Sequence, residues 1–310
     1  MLALAAAQAP APPPLAAPQP LEDGSVLVAE LEVIGRPPGP PLWRVRKGDG
    51  EVVVLGATSP LPHQLKWNER AVVRALDGAK ALLAPPAPAF NPFEAPGLLA
   101  KLLSLKSRTP LARRAPPAVY ARVVQAAAVA RTDPKVLQGW DPGVAGFILL
   151  DRFERAAGLS RGKPGTTVAR LAKAAGVPVK PLARVRAVSA LDAFVKMDER
   201  RQDQCLDAAA GAVLWEAGHA VPAAEAWAQG RLAEARRHRS DDAFDVCLEG
   251  APGARALLEK SLADSLAAVE SALAGGGRTV AVIDLRLLDR RGGLRDRLRA
   301  RGAEITVPAD

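Results

Sequence analysis

Few side chains in this sequence can act as nucleophiles, bases or metal ligands. The histidines are His63, His219 and His238, and the cysteines are Cys205 and Cys247. Ser59 lies four residues before His63, so the two can be read as a nucleophile and its base. That chemistry needs an acid to orient the imidazole, and Asp77 or Asp284 would have to supply it. The competing reading makes His63 a surface residue after a proline turn, and it takes precedence because such triads demand exact placement of three groups. His219 follows Gly218 in an expected loop and His238 stands at an arginine-rich helix end, so both are expected in solvent. Asp284 and Arg286, two residues apart on the expected last core strand, share a sheet face and can form an ion pair there. Gly275, Gly276 and Gly277 follow a helix, whereas a nucleotide-binding loop follows a strand and opens a helix, so no phosphate loop is recognised. Trp215 and Trp227 are expected to pack rather than to stack on a ligand. Cys205 and Cys247 fit either one disulfide in an oxidising compartment or two buried thiols. A bridge between them would stabilise the fold by roughly 4 kcal/mol on the chain-entropy estimate.

The elements that must position these residues follow from patterning. Val26 to Ile34 has strand character. Pro41 to Arg46 and Glu51 to Gly56 form an expected β-hairpin around a glycine-containing turn, and the second strand, apolar throughout, should be central. A helix is expected from Asn68 to Leu76 with Asn68 as its cap, then a strand over Ala79 to Leu83. Phe90 to Arg161 is expected to be helical and broken by prolines. Thr166 to Ala175 is a helix closed by Gly176, and Val177 to Leu182 a short strand. Helix returns from Ser189 to about Gly230, and again from Ala254 to Leu273, where Leu258, Leu262, Leu266, Val269 and Leu273 make one apolar stripe. Thr279 to Ile283 is a buried strand, Leu294 to Arg301 a helix, and Ala303 to Val307 a closing strand. The fold class is therefore α/β (mixed α+β): a central mixed sheet built from N- and C-terminal strands, covered by helices, with a helical middle region.

Composition narrows the partners. The 310 residues carry 42 Lys and Arg, 31 of them Arg, against 33 Asp and Glu, for a net charge of +9. Basic residues concentrate only between Arg286 and Arg301, with no interleaved aromatics to stack on bases, which argues against a nucleic-acid partner. That cluster can alternatively serve as an electrostatic adaptor for anionic lipid or polymer. No apolar run approaches the roughly 18 to 20 residues that span a bilayer. Residues 1–24 are alanine- and proline-rich and are expected to hold a signal-peptide remnant, with small residues at Ala5 and Ala7 and a disordered stretch beyond. A single domain is expected over residues 25–310. The location implied is periplasmic or secreted, with the cytoplasm as the alternative.

Two blocks carry a resemblance to the TraB/GumN family. The first is Pro41-Leu-Trp-Arg-Val, then Val52-Val-Val-Leu-Gly56, followed by Leu61-Pro and Leu65-Lys-Trp67. The second is the long helix, Gly275-Gly-Gly, the Thr279 strand, Gly292-Gly-Leu294, and Leu298-Arg-Ala-Arg-Gly302. In that family, the resemblance implies, paired Gly-x-x-His motifs and nearby carboxylates serve metal-dependent proteolysis in the Tiki branch. Imidazoles and carboxylates would hold a divalent ion and activate its water, while glycines let backbone and metal approach closely. Here the first motif is Gly56-Ala-Thr-Ser59 and the second Ile283-Asp-Leu-Arg286. The acidic position after the second core strand is Ala84, a Gly-Val-Asp signature becomes Gly143-Val-Ala145, and a Leu-Glu pair becomes Leu182-Ala183. A hydroxyl is a poor divalent-metal ligand at neutral pH, a methyl is none, and a guanidinium repels a cation. The expectation is a catalytically inactive relative without metal or cofactor, binding a peptide, protein or small ligand in a cleft around Gly56, Ser59, His63, Ala84, Asp284 and Arg286. A metal-dependent or serine-type hydrolase with a remodelled site is the alternative.

Overall fold

The structure is a computed structural model and describes residues 39–89, 91–186, 188, 191–192, 195–239, 246–247, 251 and 253–308. The expected signal segment and the strand over 26–34 lie outside the described residues.

The hairpin forms as expected. Strand β1 (Leu42–Lys47) pairs antiparallel with β2 (Gly50–Ala57) across a turn holding Gly48 at φ 55°. Two residues of β3 (Leu61–Pro62) follow, then helix α1 (Arg70–Leu76). Asn68 Oδ1 accepts from the Arg70 amide at 3.1 Å, so it satisfies one of the free donors of that first turn even though Glu69 holds the cap position. The chain continues through β4 (Leu82–Ala84) and β5 (Ala87–Ala89) into helices α2 (Ala95–Ser104), α3 (Leu111–Arg114), α4 (Pro117–Val129) and α5 (Pro142–Ala156). Prolines stand at the first or second position of α2, α4 and α5, where their missing N–H is not needed.

After β6 (Leu159–Ser160) come α6 (Lys163–Ala174), β7 (Val179–Pro181) and β8 (Arg184–Arg186). The 30-residue α7 (Glu199–Ala228) is the longest described element, about 45 Å at 1.5 Å per residue. Helices α8 (Leu232–Arg237) and α9 (Ala254–Ala274) lead to β9 (Gly277–Asp284), then α10 (Leu285–Asp289), α11 (Leu294–Ala300) and β10 (Glu304–Thr306).

Six strands form one mixed sheet in the order β10, β1, β2, β9, β4, β7. The pairs on the β10 and β1 side are antiparallel, whereas β2, β9, β4 and β7 run parallel to one another. The cause is local. Val52–Leu55 and Val280–Ile283 are uninterrupted apolar runs buried on both faces, the pattern that suits interior strands with helices on either side. The fold class is thus the α/β class expected, with most of the sheet drawn from strands near the two chain ends and β7 added at one edge from the middle of the chain.

Two cores result. One surrounds the sheet and includes Trp43, Leu55, Trp227, Leu262 and Val269. The other is helical, between α4, α5 and α7, around Val123, Leu149, Phe153, Leu206 and Val213. Small residues set the spacing in the helical core: a Cβ on Gly146 of α5 would lie 2.9 Å from the Ala209 methyl of α7. Helix α7 joins the cores, its first half lying among the helices and its end against the sheet, where Trp227 Nε1 donates to the Gly56 carbonyl at 2.7 Å. Cys205 on α7 and Cys247 lie at disulfide-bonding distance, with Cα atoms 4.6 Å apart, and pack with Met197, Ala251 and Ala254. Among the described residues no helix is long and apolar enough to cross a membrane.

Candidate functional site

Four parallel strands end at the same sheet edge. Ala57 of β2 lies opposite Asp284 of β9, Leu83 of β4 opposite Ala281, and Ala84 opposite Pro181 of β7. In open α/β sheets the carboxyl ends of the strands are where chain departures leave a crevice for ligands. Two cavities open here, and Thr58, Ser59 and Arg161 line both. One, of about 140 Å³, runs beneath Pro85, Pro164, Leu182, Leu262 and Leu287, with Asp284 at its wall. The other, of about 50 Å³, lies between the segment after β2 and the helices, with Arg286, His238 and Arg239 in its wall.

Gly56 is buried and faces the indole of Trp43. A Cβ there would stand 2.2 Å from the Trp43 ring and 2.6 Å from Leu285 Cδ2. Gly56, expected to belong to the cleft, lines neither cavity. The space over its Cα belongs to the core, and its carbonyl is taken by Trp227. Ser59 follows through a cis peptide to Pro60 and sits at the junction of the two cavities. Ala84, half-buried, ends β4 one residue before Pro85, which lines the larger cavity.

Asp284 and Arg286 do form an ion pair, by a different geometry from the shared strand face expected. Strand β9 stops at Asp284, which caps α10 by accepting from the Arg286 amide at 2.8 Å. Arg286 stands in the first turn of that helix and returns its guanidinium to the same carboxylate, Nε to Oδ1 and Nη2 to Oδ2, each at 3.2 Å. The strand ends there because a capping aspartate in extended conformation starts a helix more readily than it continues a buried strand.

His63 is exposed and lines neither cavity, and among the described residues no hydrogen bond joins it to Ser59. Its backbone is held instead: the amide donates to the Gly158 carbonyl at 2.8 Å, and Lys163 Nζ donates to the His63 and Pro62 carbonyls. Burial pushes the Lys163 amine down from its ordinary value. Asp77 is exposed at the end of α1 and lines neither cavity. Gly143 and Ala145 are buried at the start of α5, Ala145 in the helical core, while Phe147 and Leu150 one turn on reach the smaller cavity.

The helical wall of the smaller cavity was not legible in the sequence. Arg161 pairs with Glu154, His238 caps the end of α8, and Glu216 comes from mid-α7. His238 is not simply solvated as expected, because its Nδ1 is buried and without a partner among the described residues. His219 is also not in a loop. Helix α7 continues through Gly218, and the His219 ring stacks on Trp215 at 3.7 Å with a 4° interplanar angle. Trp215 is 41% exposed, so only Trp227 is a core tryptophan of the two. The basic cluster from Arg286 to Arg301 is mostly neutralised: five of its seven arginines contact Asp284, Glu259, Asp289 or Glu270.

The donor set at the strand ends does not suit a divalent ion. It comprises the Thr58 and Ser59 hydroxyls, the Ala84 methyl, and one carboxylate already held by a guanidinium. Among the described residues no three His, Cys, Asp or Glu side chains come together as a metal-holding group. The family model described as TraB/PrgY/gumN matches residues 41–307, nearly the whole of the described chain. Neither a curated protein nor a solved structure matches.

Proposed function

Because the chain belongs to the TraB/PrgY/gumN family, we propose that it is a catalytically inactive member that works by binding, with a peptide, protein or small ligand held at the carboxyl ends of its parallel strands. One observation carries the reading. Where a metal-dependent hydrolase needs imidazoles and free carboxylates, this cleft offers Ser59, Ala84 and an Asp284 carboxylate engaged twice by the Arg286 guanidinium and once by its amide. The scaffold meanwhile keeps the features that make a crevice: parallel strand ends, a proline-lined apolar wall and a cationic helical wall. A periplasmic or secreted location is part of the proposal, supported by the Cys205 and Cys247 sulfurs at disulfide-bonding distance.

The competing reading is a hydrolase using Ser59. The exposed, outlying position of His63 speaks against it, since a general base must come within about 3 Å of its nucleophile or reach it through one water. The test is turnover of unstructured protein and of short ester substrates, with Mn²⁺, Co²⁺ or Zn²⁺ and without. The expected result is no turnover above buffer. Hydrolysis abolished by Ser59→Ala, or activated by metal, would overturn the proposal.

A further inference from the structure

We infer that helix α2 and the basic segment after it form a docking surface for an anionic lipid layer, on which the helix lies flat with its leucines among the acyl chains. This surface is separate from the strand-end cleft, since no residue of α2 lines either cavity there.

The helix faces the opposite way from a core element. In α2, Leu98, Leu99, Leu102 and Leu103 fall at the intervals that gather side chains on one side of a helix. Such a stripe ordinarily packs against a core, yet α2 has no buried residue. Leu99, Leu102 and Leu103 are 43% to 59% exposed, and Phe93, two residues ahead of the helix, is 92% exposed. Attachment to the body runs through polar groups instead. Glu94 at the N-cap pairs with Arg186, and Lys101 pairs with Asp192. Glu94 and Lys101 stand seven residues apart, two turns along the side away from the leucines, so those ion pairs leave the apolar stripe facing outward. Exposed apolar side chains grouped in this way mark an interaction surface.

Charge selects the occupant. From Phe93 to Arg114 the chain carries five basic residues, Lys101, Lys106, Arg108, Arg113 and Arg114, against Glu94 alone. Lys101 and Arg114 pair with Asp192 and Asp141, and the Lys106 ammonium lies over the Trp140 ring. Arg108 and Arg113 are exposed and have no acidic partner among the described residues. A leucine stripe followed by such cations matches anionic headgroups over acyl chains, where an amphipathic helix buries its apolar face about 5–10 Å deep. At ten residues α2 is about 15 Å long, half the hydrocarbon thickness of a bilayer, so it lies on the membrane without spanning it. A second copy of the chain fits this face less well. It would bring the same cations to both sides of the contact, and a ten-residue helix falls short of the roughly 20 to 30 residues a side of a stable interface.

Co-flotation of the full chain with liposomes measures the partition coefficient, using phosphatidylcholine alone and phosphatidylcholine with roughly one-third phosphatidylglycerol. The chain should bind the anionic liposomes, at least about tenfold more tightly than the neutral ones, and less tightly at about 0.5 M salt. Leu99→Ser with Leu103→Ser should weaken binding about a hundredfold, at roughly tenfold per leucine withdrawn from the acyl layer. Both side chains are exposed, so the melting temperature should not fall. Phe93→Ser, outside the helix, is the second variant should the leucine pair fail to fold, with a loss of about tenfold. Arg108→Gln with Arg113→Gln should weaken binding to the anionic liposomes about twentyfold, at roughly fivefold per cation, and leave the neutral ones unaffected. No binding to anionic liposomes, equal binding to both kinds, or binding that the leucine pair leaves intact overturns the inference. A dimer in sedimentation velocity that the leucine pair abolishes, without liposome binding, assigns the face to a second copy and overturns it too.

Discussion

Substituting Asp284 removes two interactions that other variants remove one at a time. The carboxylate caps α10 through the Arg286 amide at 2.8 Å, a contribution of about 1 kcal/mol for an aspartate cap. It also accepts two guanidinium hydrogen bonds at 3.2 Å. Both side chains are about 30% exposed, so this pair is discounted from a buried one to about 1 kcal/mol. Asp284→Ala should therefore destabilise the protein by about 2 kcal/mol. Asp284→Asn, which retains a capping oxygen but loses the charge, should cost about 1 kcal/mol, and Arg286→Ala, which keeps the cap, should cost at least as much. The double variant should cost less than the sum of the singles by about the pair's 1 kcal/mol, since the pair can be lost only once. Urea denaturation followed by circular dichroism measures all four, with the midpoint shift read at constant slope. If Asp284→Asn proves as costly as Asp284→Ala, the division into cap and ion pair is wrong. The strand-end geometry argued from it then fails as well.

Gly56→Ala should destabilise by about 3 kcal/mol or more, because the added methyl overlaps Trp43 and Leu285, and a shift in tryptophan fluorescence should accompany it. Glu51 is half-buried, and that partial desolvation raises its carboxyl pKa, but hydrogen bonds from Arg46, Arg278 and Arg44 outweigh it and hold the group below its ordinary value of 4.5. A depressed folded-state value favours folding fully above about pH 4.5 and less as pH falls through the folded value. Glu51→Gln should thus cost about 1 kcal/mol at pH 7 and progressively less in that acidic range, as thermal melts at stepped pH would register. Joint Cys205→Ser and Cys247→Ser substitution should lower stability by roughly 4 kcal/mol at most, from the 42-residue separation, and a thiol count on the denatured, unreduced wild type should find none free.

Local patterns made much of the sheet legible. Strands β2 and β9 follow from four-residue apolar runs, and α9 from its leucine stripe, of which Leu262, Leu266, Val269 and Leu273 are buried. What escaped is non-local or rests on competition between rules. The i, i+2 spacing of Asp284 and Arg286 implies a shared strand face, but the Asp284 cap turns the chain into a helix first. Gly218 suggested a loop around His219, yet the tertiary contacts of α7 outweigh one glycine's propensity cost of about 1 kcal/mol. Gly56 carried a motif-based meaning, while its actual neighbours, Trp43, Leu285 and Trp227, come from three other elements. The helical wall holding Glu216, His238 and Arg239 meets Ser59 only after folding, and no spacing along the chain announces it.

The central claim is that the strand-end cleft of this family member cannot hold a divalent cation. Isothermal titration of the purified full chain with Zn²⁺, Mn²⁺ and Co²⁺ tests it most directly, with Ser59→Ala and Asp284→Asn run alongside. The account predicts no saturable heat, or only weak heat unaltered in both variants. One-to-one binding at micromolar affinity or tighter, lost in Ser59→Ala or Asp284→Asn, would contradict it.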